Sequence, residues 1–384
     1  MTRRDLALAP LMPFAAAQQR KPRVACILNA YFPNSHADVF MSRLLEGYRL
    51  NGQSHRPRVE VASLYVDQFP YNDMAREQAE EYGVKIYPSA AEAVRLGGSK
   101  IAVDGVAIIG EHGDYPRTPR GNFMYPRRRR FDEVVDAMKA DGRVVPLLND
   151  KYFAYEWADA RHMYDRVREL RIPFQCGSTL PLTWRRPPLE FAPGTRFDEL
   201  LAVSFSDLEE HAYHAIELLQ AMAERRAGGE TGVAEVRYAE GDEVWKLAKE
   251  GLWSRPLLDA ALTRRVNPAP PGKGQKPEAI FVRYNSGLRA SIVNLNASTR
   301  DYLFAAKETG RAEPRSSCFY IQLYNHNHWS FMVRKFEDLV ISRKQPDPPE
   351  RTLVANGIML AGLESRLRGG KLVATPEMAV SYRV

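Results

Sequence analysis

Residues 23–38, RVACILNAYFPNSHAD, constrain this chain more than any other stretch. Val24, Ala25, Cys26, Ile27 and Leu28 form an unbroken apolar run, the pattern of a strand buried on both faces of a parallel sheet. The pattern breaks between Asn29 and Ser35, then resumes at helical spacing from Val39 to Tyr48. Strand-like runs recur at 59–66, 84–87, 103–110, 144–148 and 172–176, separated by helical patterns at 74–82, 90–96, 131–140 and 154–170. Such alternation predicts an α/β fold: a Rossmann-type, doubly wound parallel sheet with its ligand site at the carboxyl ends of the strands.

From about residue 197 the pattern changes. Residues 200–205 read as a strand and 208–226 as a helix, and extended runs follow at 233–238, 279–284, 290–295 and 319–323. They predict an α+β domain with an open, largely antiparallel sheet. Residues 328–341 and 352–367 read as helices, and 379–382 as a short closing strand. The proline- and glycine-rich stretch 267–276 reads as a surface loop. The expected division is a leader at 1–20, a first domain at 21–178 and a second at 179–384, whose last helix is free to pack back on the first.

The leader carries Arg3-Arg4, an apolar run from Leu6 to Phe14 and an Ala15-Ala16-Ala17 cleavage signal. It resembles a twin-arginine export signal, so the expected location is the periplasm or another exported destination; the bland alternative is an unaddressed amino terminus. No later run approaches the roughly 18 apolar residues of a membrane span. Cys26, Cys176 and Cys318 form no metal-type cluster, and Cys26 and Cys176, in predicted core strands, read as buried free thiols rather than a disulfide. The net charge of +7 raises the question of nucleic acid, with Arg127–Arg128–Arg129–Arg130 as the densest patch. No aromatic platform or helix-turn-helix accompanies it, so a solvated helix entrance is expected, and no nucleic-acid partner. Basic character also suits an anionic substrate or an acidic surface.

In a dinucleotide-binding sheet the turn after the first strand holds pyrophosphate, using glycine for positive φ and close backbone approach. No glycine occurs between Arg23 and Glu46. Asn29, Tyr31 and Asn34 would have to serve instead, and Asp67, at the end of the second predicted strand, stands where an acid accepts the adenosine ribose.

Several phrases in this order resemble the glucose-fructose oxidoreductase, inositol dehydrogenase and MocA (Gfo/Idh/MocA) family. They are Ala75-x3-Ala79-x3-Gly83-Val-Lys-Ile-Tyr87-Pro, Val103-Asp-Gly-Val-Ala-Ile-Ile109, Pro348-x-Glu350-Arg-Thr-Leu353 and Ser365-x3-Gly369-Gly-Lys371 with Thr375-Pro376. The resemblance implies redox chemistry at a hydroxyl of a sugar or cyclitol with NAD or NADP, in a homo-oligomer. It places the family's catalytic lysine at Lys151, in Asn149-Asp150-Lys151-Tyr152 where the family has Glu-Lys-Pro. It places the catalytic histidine at His214, with Glu210 four residues earlier to orient it, and Glu217 where the family often has aspartate. A shifted alignment uses Asp207 and His211 instead. The family's Thr-Pro-x-x-x-His loop is replaced by Glu111-His112-Gly113-Asp114, which puts Glu111 and His112 at the nicotinamide end. Scattered histidines and acids make a weak metal signature, so no metal is expected. Two alternatives stay open: a carbohydrate lyase or hydrolase acting without dinucleotide through Glu111, His112 and Lys151, and a non-catalytic carbohydrate-binding protein.

Overall fold

The computed structural model describes residues 20–267, 276–295 and 298–384, so the leader and most of the proline-rich loop lie outside the described residues. In chain order the first half gives β1 (Arg23–Ala30), α1 (His36–Leu45), a small hairpin of β2 (Tyr48–Leu50) and β3 (Gln53–His55), then β4 (Glu60–Gln68) and α2 (Ala75–Glu81). It continues with β5 (Lys85–Ile86), α3 (Ala90–Arg95), β6 (Gly105–Ile109), α4 (Arg127–Asp141), β7 (Leu147–Asp150), α5 (Trp157–Glu169) and β8 (Phe174–Gly177). One sheet runs β5-β4-β1-β6-β7-β8 with every pairing parallel. Leaving the hairpin aside, that is the doubly wound order, whose direction reverses between β1 and β6.

The second half supplies β9 (Trp184–Arg186), β10 (Phe197–Ser204), a π-helical turn (Leu208–Ala212), α6 (Tyr213–Ala223), β11 (Val233–Glu240), α7 (Asp242–Lys249) and α8 (Arg255–Leu262). Then come β12 (Glu278–Tyr284), β13 (Arg289–Asn294), β14 (Tyr302–Glu308), β15 (Arg315–Tyr320), α9 (Trp329–Ser342), α10 (Pro349–Leu367) and β16 (Val373–Ala374). Its sheet runs β16-β11-β12-β13-β10-β14-β15-β9, antiparallel except where β10 meets β13. The fold class is the one the alternating pattern predicted. The expected closing strand is reduced to a single bridge between Glu230 and Tyr382.

Val24 to Leu28 are at most 1% exposed because both faces of the parallel sheet are covered. One face packs against α1 and α9 through Phe40, Met41, Met332, Val333 and Phe336. The other packs against α3, α4 and α5, in a core that continues through α6 and α10 to the second sheet. Each fully buried Val, Leu, Ile or Phe contributes about 1.5–3 kcal/mol, so this shared core fixes the two sheets against each other. The second sheet's far face is closed by α7 and α8 around Trp253. Among the described residues no helix is long and apolar enough to cross a membrane.

This packing brings the ends of β6, β7 and β8 beside the π-helical turn. Gly177, last in β8, exchanges two backbone hydrogen bonds with Lys151, at 3.0 and 3.1 Å. Its φ is +101°, and an added Cβ would overlap Glu217 Oε1 and lie 2.8 Å from Thr352 Oγ1. Gly177→Ala is therefore expected to destabilise the protein by at least about 1–3 kcal/mol, the cost of a left-handed residue alone. Urea unfolding measures it; an unchanged midpoint would mean that the clamp on Lys151 does not exist as described.

Candidate active site

The end of β6 delivers Glu111 and the end of β7 delivers Asp150 and Lys151, all at most 2% exposed. Lys151 Nζ lies 2.8 Å from Glu111 Oε2, and Arg127, the first residue of α4, binds Glu111 Oε1. Burial alone would raise the Glu111 carboxyl, but Lys151 and then Arg127 outweigh it and hold the group at about 2. Arg127 Nη1 also donates to the Asp150 carbonyl at 2.6 Å. Lys151 and His112 each have a φ of +66°, unusual for residues with a Cβ. Such strain gathers at functional sites, where packing over-determines the backbone.

Around these charges stands a wall of imidazoles. A cavity of about 280 Å³ is lined by Lys151, Glu111, Glu210 and six of the chain's eight histidines. His36 Nδ1 lies 2.6 Å from Asp150 Oδ2; an ionised carboxylate only accepts, so Nδ1 donates. His214 Nδ1 shares a 2.6 Å hydrogen bond with Ser178 Oγ. Burial, then the charge of Lys151, pushes His214 well below the usual imidazole range. Burial, then His36, lowers His112 to about 4; burial, then His326, lowers His328 to about 3. These three are neutral at pH 7, each offering one donor and one acceptor.

Lys151 and His214, expected to share a site, do line one cavity. Glu210 lines it too, but Ser178 rather than Glu210 holds the His214 imidazole. The reason is the π-helical turn: Ala212 N–H bonds Asp207 O in an i→i+5 step, which removes the helical register that spacing of four assumes. In the shifted pairing, Asp207 Oδ2 stands 3.6 Å from His211 Nδ1. Asp207, Glu210 and His211 place potential metal-ligating atoms within 4.8 Å of one another. A simpler account is a helix cap, since Asp207 accepts from the Glu210 N–H at 2.6 Å, and the positive end of a helix disfavours a cation.

The residues expected to hold a dinucleotide are otherwise engaged. Asp67 accepts from Tyr65 at 2.7 Å and Tyr115 at 2.6 Å and pairs with Arg130, so both its oxygens are already engaged by protein groups. Burial would raise its carboxyl, and Tyr115, Tyr65 and Arg130 more than reverse that. Tyr31 is fully buried in the α1 layer, its hydroxyl without a partner. Asn29 is buried too, with Nδ2 3.5 Å from His112 O, a weak contact. Asn34, at φ +63°, donates its N–H to Asp38 Oδ2 at 2.7 Å. The arginine run is a solvated helix entrance in half: Arg128 and Arg129 are exposed, whereas the side chains of Arg127 and Arg130 are 0% and 6% exposed and are counter-ions to Glu111 and Asp67. His36 escaped the sequence reading because its partner lies 114 residues away. Its one signal was SHAD, where Ser35 caps α1 and leaves the next side chain at the strand ends.

No protein-family model and no curated protein sequence matches the chain. Solved structures do match its fold. Scyllo-inositol dehydrogenase from Lactobacillus casei, with bound NAD(H) and scyllo-inositol, aligns over 92% of this chain and 99% of its own at 9% identity, TM-score 0.58. Myo-inositol 2-dehydrogenase from Lactobacillus plantarum aligns over 92% and 99% at 11% identity, TM-score 0.57. A myo-inositol dehydrogenase from Corynebacterium glutamicum aligns over 92% and 99% at 13% identity, TM-score 0.55. The fold is therefore that of the Gfo/Idh/MocA dehydrogenases.

The dinucleotide this fold implies does not fit the residues present here. The segment after β6 is drawn across the strand ends: Gln68 exchanges two hydrogen bonds with the Asp114 backbone at 2.7 and 2.9 Å, and Tyr115 closes on Asp67. Asp38 puts a carboxylate into the first turn of α1, where pyrophosphate needs positive potential.

A pH prediction follows from Glu111. Its folded carboxyl is held near 2 against an ordinary 4.5, so its pairing stabilises the fold above about 4.5 and is lost as pH falls toward 2. Glu111→Gln is expected to cost on the order of 3 kcal/mol at pH 7, with the gap from wild type closing between those two pH values. Urea unfolding across the range checks this; a gap independent of pH would contradict the buried ion triad.

Proposed function

We propose that this protein is an enzyme acting on a small neutral carbohydrate or cyclitol by proton transfer at the strand-end cavity. The observation that supports this most is the wall of imidazoles around Lys151, three of which, His112, His214 and His328, are held neutral by burial. A hydroxyl, like a neutral imidazole, gives one donor and accepts in return, so such a wall suits a polyol better than an ion. About 280 Å³ lies at the small end of ligand pockets, the size of one sugar or cyclitol ring rather than a ring with a dinucleotide.

In this reading Lys151 spends one of its three N–H groups on Glu111 and offers the others to an oxygen that gains negative charge. His214 exchanges a proton through Nε2, Ser178 having fixed its other nitrogen. The reaction class that uses these parts without an electron acceptor is proton removal beside the carbonyl of a keto sugar or keto-cyclitol, for which the inositols are binding analogues only. The C–H electrons then form a C=C bond, and a hydroxyl on the next carbon departs as water after receiving a proton.

A second reading is oxidation of a sugar or cyclitol hydroxyl with NAD or NADP. The likeness to inositol dehydrogenases, one with NAD(H) bound, supports it; the engaged Asp67 and the segment across the strand ends weigh against it.

Calorimetric titration of the full chain with myo-inositol, scyllo-inositol, NAD and NADP separates the two. The expected result is saturation by at least one polyol, weakened at least about tenfold in Lys151→Met, a loss of about 1.4 kcal/mol. NAD and NADP are expected to bind no tighter than about 1 mM. Saturation by either dinucleotide below that concentration would restore the oxidoreductase.

A further inference from the structure

The hydrogen bond between His36 and Asp150 joins the first βα turn to the end of β7. We infer that this pair is the principal base of the active site, built where a dinucleotide fold would hold pyrophosphate. The inference rests on the proton-transfer reading and deepens it by naming the group that takes the proton.

Position comes first. His36 is the opening residue of α1, directly after the Ser35 cap, at the helix end that in a doubly wound sheet faces the phosphates. Its side chain reaches across the strand ends to Asp150, so a site for anion binding has become a site for an imidazole. Asp150 is 1% exposed, and a buried carboxylate needs a partner; here the partner is His36.

Orientation comes next. The His36 ring stands edge-on to Trp329, centroids 4.6 Å apart, and to His112 at 5.2 Å. With Nδ1–H donated to Asp150, the lone pair sits on Nε2, which no group among the described residues bonds. The side chain keeps 17% exposure and lines the cavity.

Comparison with its neighbours singles it out. Of the cavity imidazoles, His36 alone has a carboxylate of the described residues at hydrogen-bond distance; Asp207 stands 3.6 Å from His211, and His214 has a hydroxyl. A hydroxyl orients a ring but brings no charge to balance an imidazolium, whereas a carboxylate does both. In the step itself, Nε2 takes the substrate proton and the bonding electrons stay on the substrate. Nδ1–H remains on Asp150, whose negative charge stabilises the cation. Asp150 is thus a positioning residue, and Lys151, next in the chain, stands beside the charge left on the substrate.

Diethyl pyrocarbonate, which acylates unprotonated imidazole nitrogen, tests this on the full chain, with modified peptides identified by mass spectrometry. His36 is expected to react faster than His214, and Asp150→Asn to slow it by about tenfold, since an amide cannot balance the positive charge the ring gains as Nε2 attacks. The wild-type comparison stands even if the variant folds poorly. A His36 that reacts no faster than His214, or a folded Asp150→Asn protein with unchanged His36 reactivity, would overturn the inference. Saturating myo-inositol or scyllo-inositol is expected to protect His36. Fast, Asp150-dependent reaction without protection by either would leave the base standing and remove the polyol reading of the cavity.

Discussion

A carboxylate taken out of water must be matched by charge and hydrogen bonds, or it protonates. Glu111 is matched twice, by Lys151 on one oxygen and Arg127 on the other. Much of the site depends on that arrangement. It holds the lysine against the cavity wall, and it ties the start of α4 to the end of β6. Arg127 also carries the Asp150 carbonyl, which helps to hold the Asp150 side chain toward His36. Removing one member of such a buried set costs about 3–5 kcal/mol, because the remaining charges stay buried without partners. The triad is poor economy for stability alone, since well-packed apolar residues of similar volume would serve as well. Glu111 and Lys151 line one cavity with six histidines.

Two structural relatives carry NAD or NAD(H) on this fold, and the strand ends of this chain are furnished differently from what a dinucleotide asks. The turn holds no glycine and buries Tyr31 in the α1 layer, Asp38 brings negative charge to the helix end, and Asp67 is held by two tyrosines and an arginine. Nothing in the β-strand order had to change for this. A fold supplies strand ends that converge; the loops between them decide the chemistry.

Much of this could be read from the sequence because local pattern decides it. Val24–Leu28 declares a two-faced buried strand, and the alternation of periods declares a parallel sheet. Lys151 and His214 were singled out by the family resemblance, and the pattern of strands and helices put Lys151 at a strand end and His214 near the start of a long helical stretch. What escaped notice is what tertiary structure decides. His36 acquires a role only when Asp150 arrives from 114 residues away. Arg127 and Arg130 look like solvent-facing charges until Glu111 and Asp67 are folded beneath them. The π-helical turn at Leu208–Ala212 shows no signature in residue spacing, yet the Glu210–His214 pairing assumed a regular helix there. The run 302–308, YLFAAKE, contains helix formers and no alternation; β10 and β15 on either side make it a strand.

The central claim is that the strand ends hold a polyol among His36, Lys151 and His214 and leave no room for a dinucleotide. A crystal structure of the full chain grown with both NAD and scyllo-inositol tests that most directly. The account predicts the cyclitol in the cavity, a hydroxyl near His36 Nε2 and another near Lys151 Nζ, with Tyr115 still closed on Asp67. A dinucleotide lying along the ends of β1 and β4, its ribose on Asp67 and the segment after β6 displaced, would contradict it.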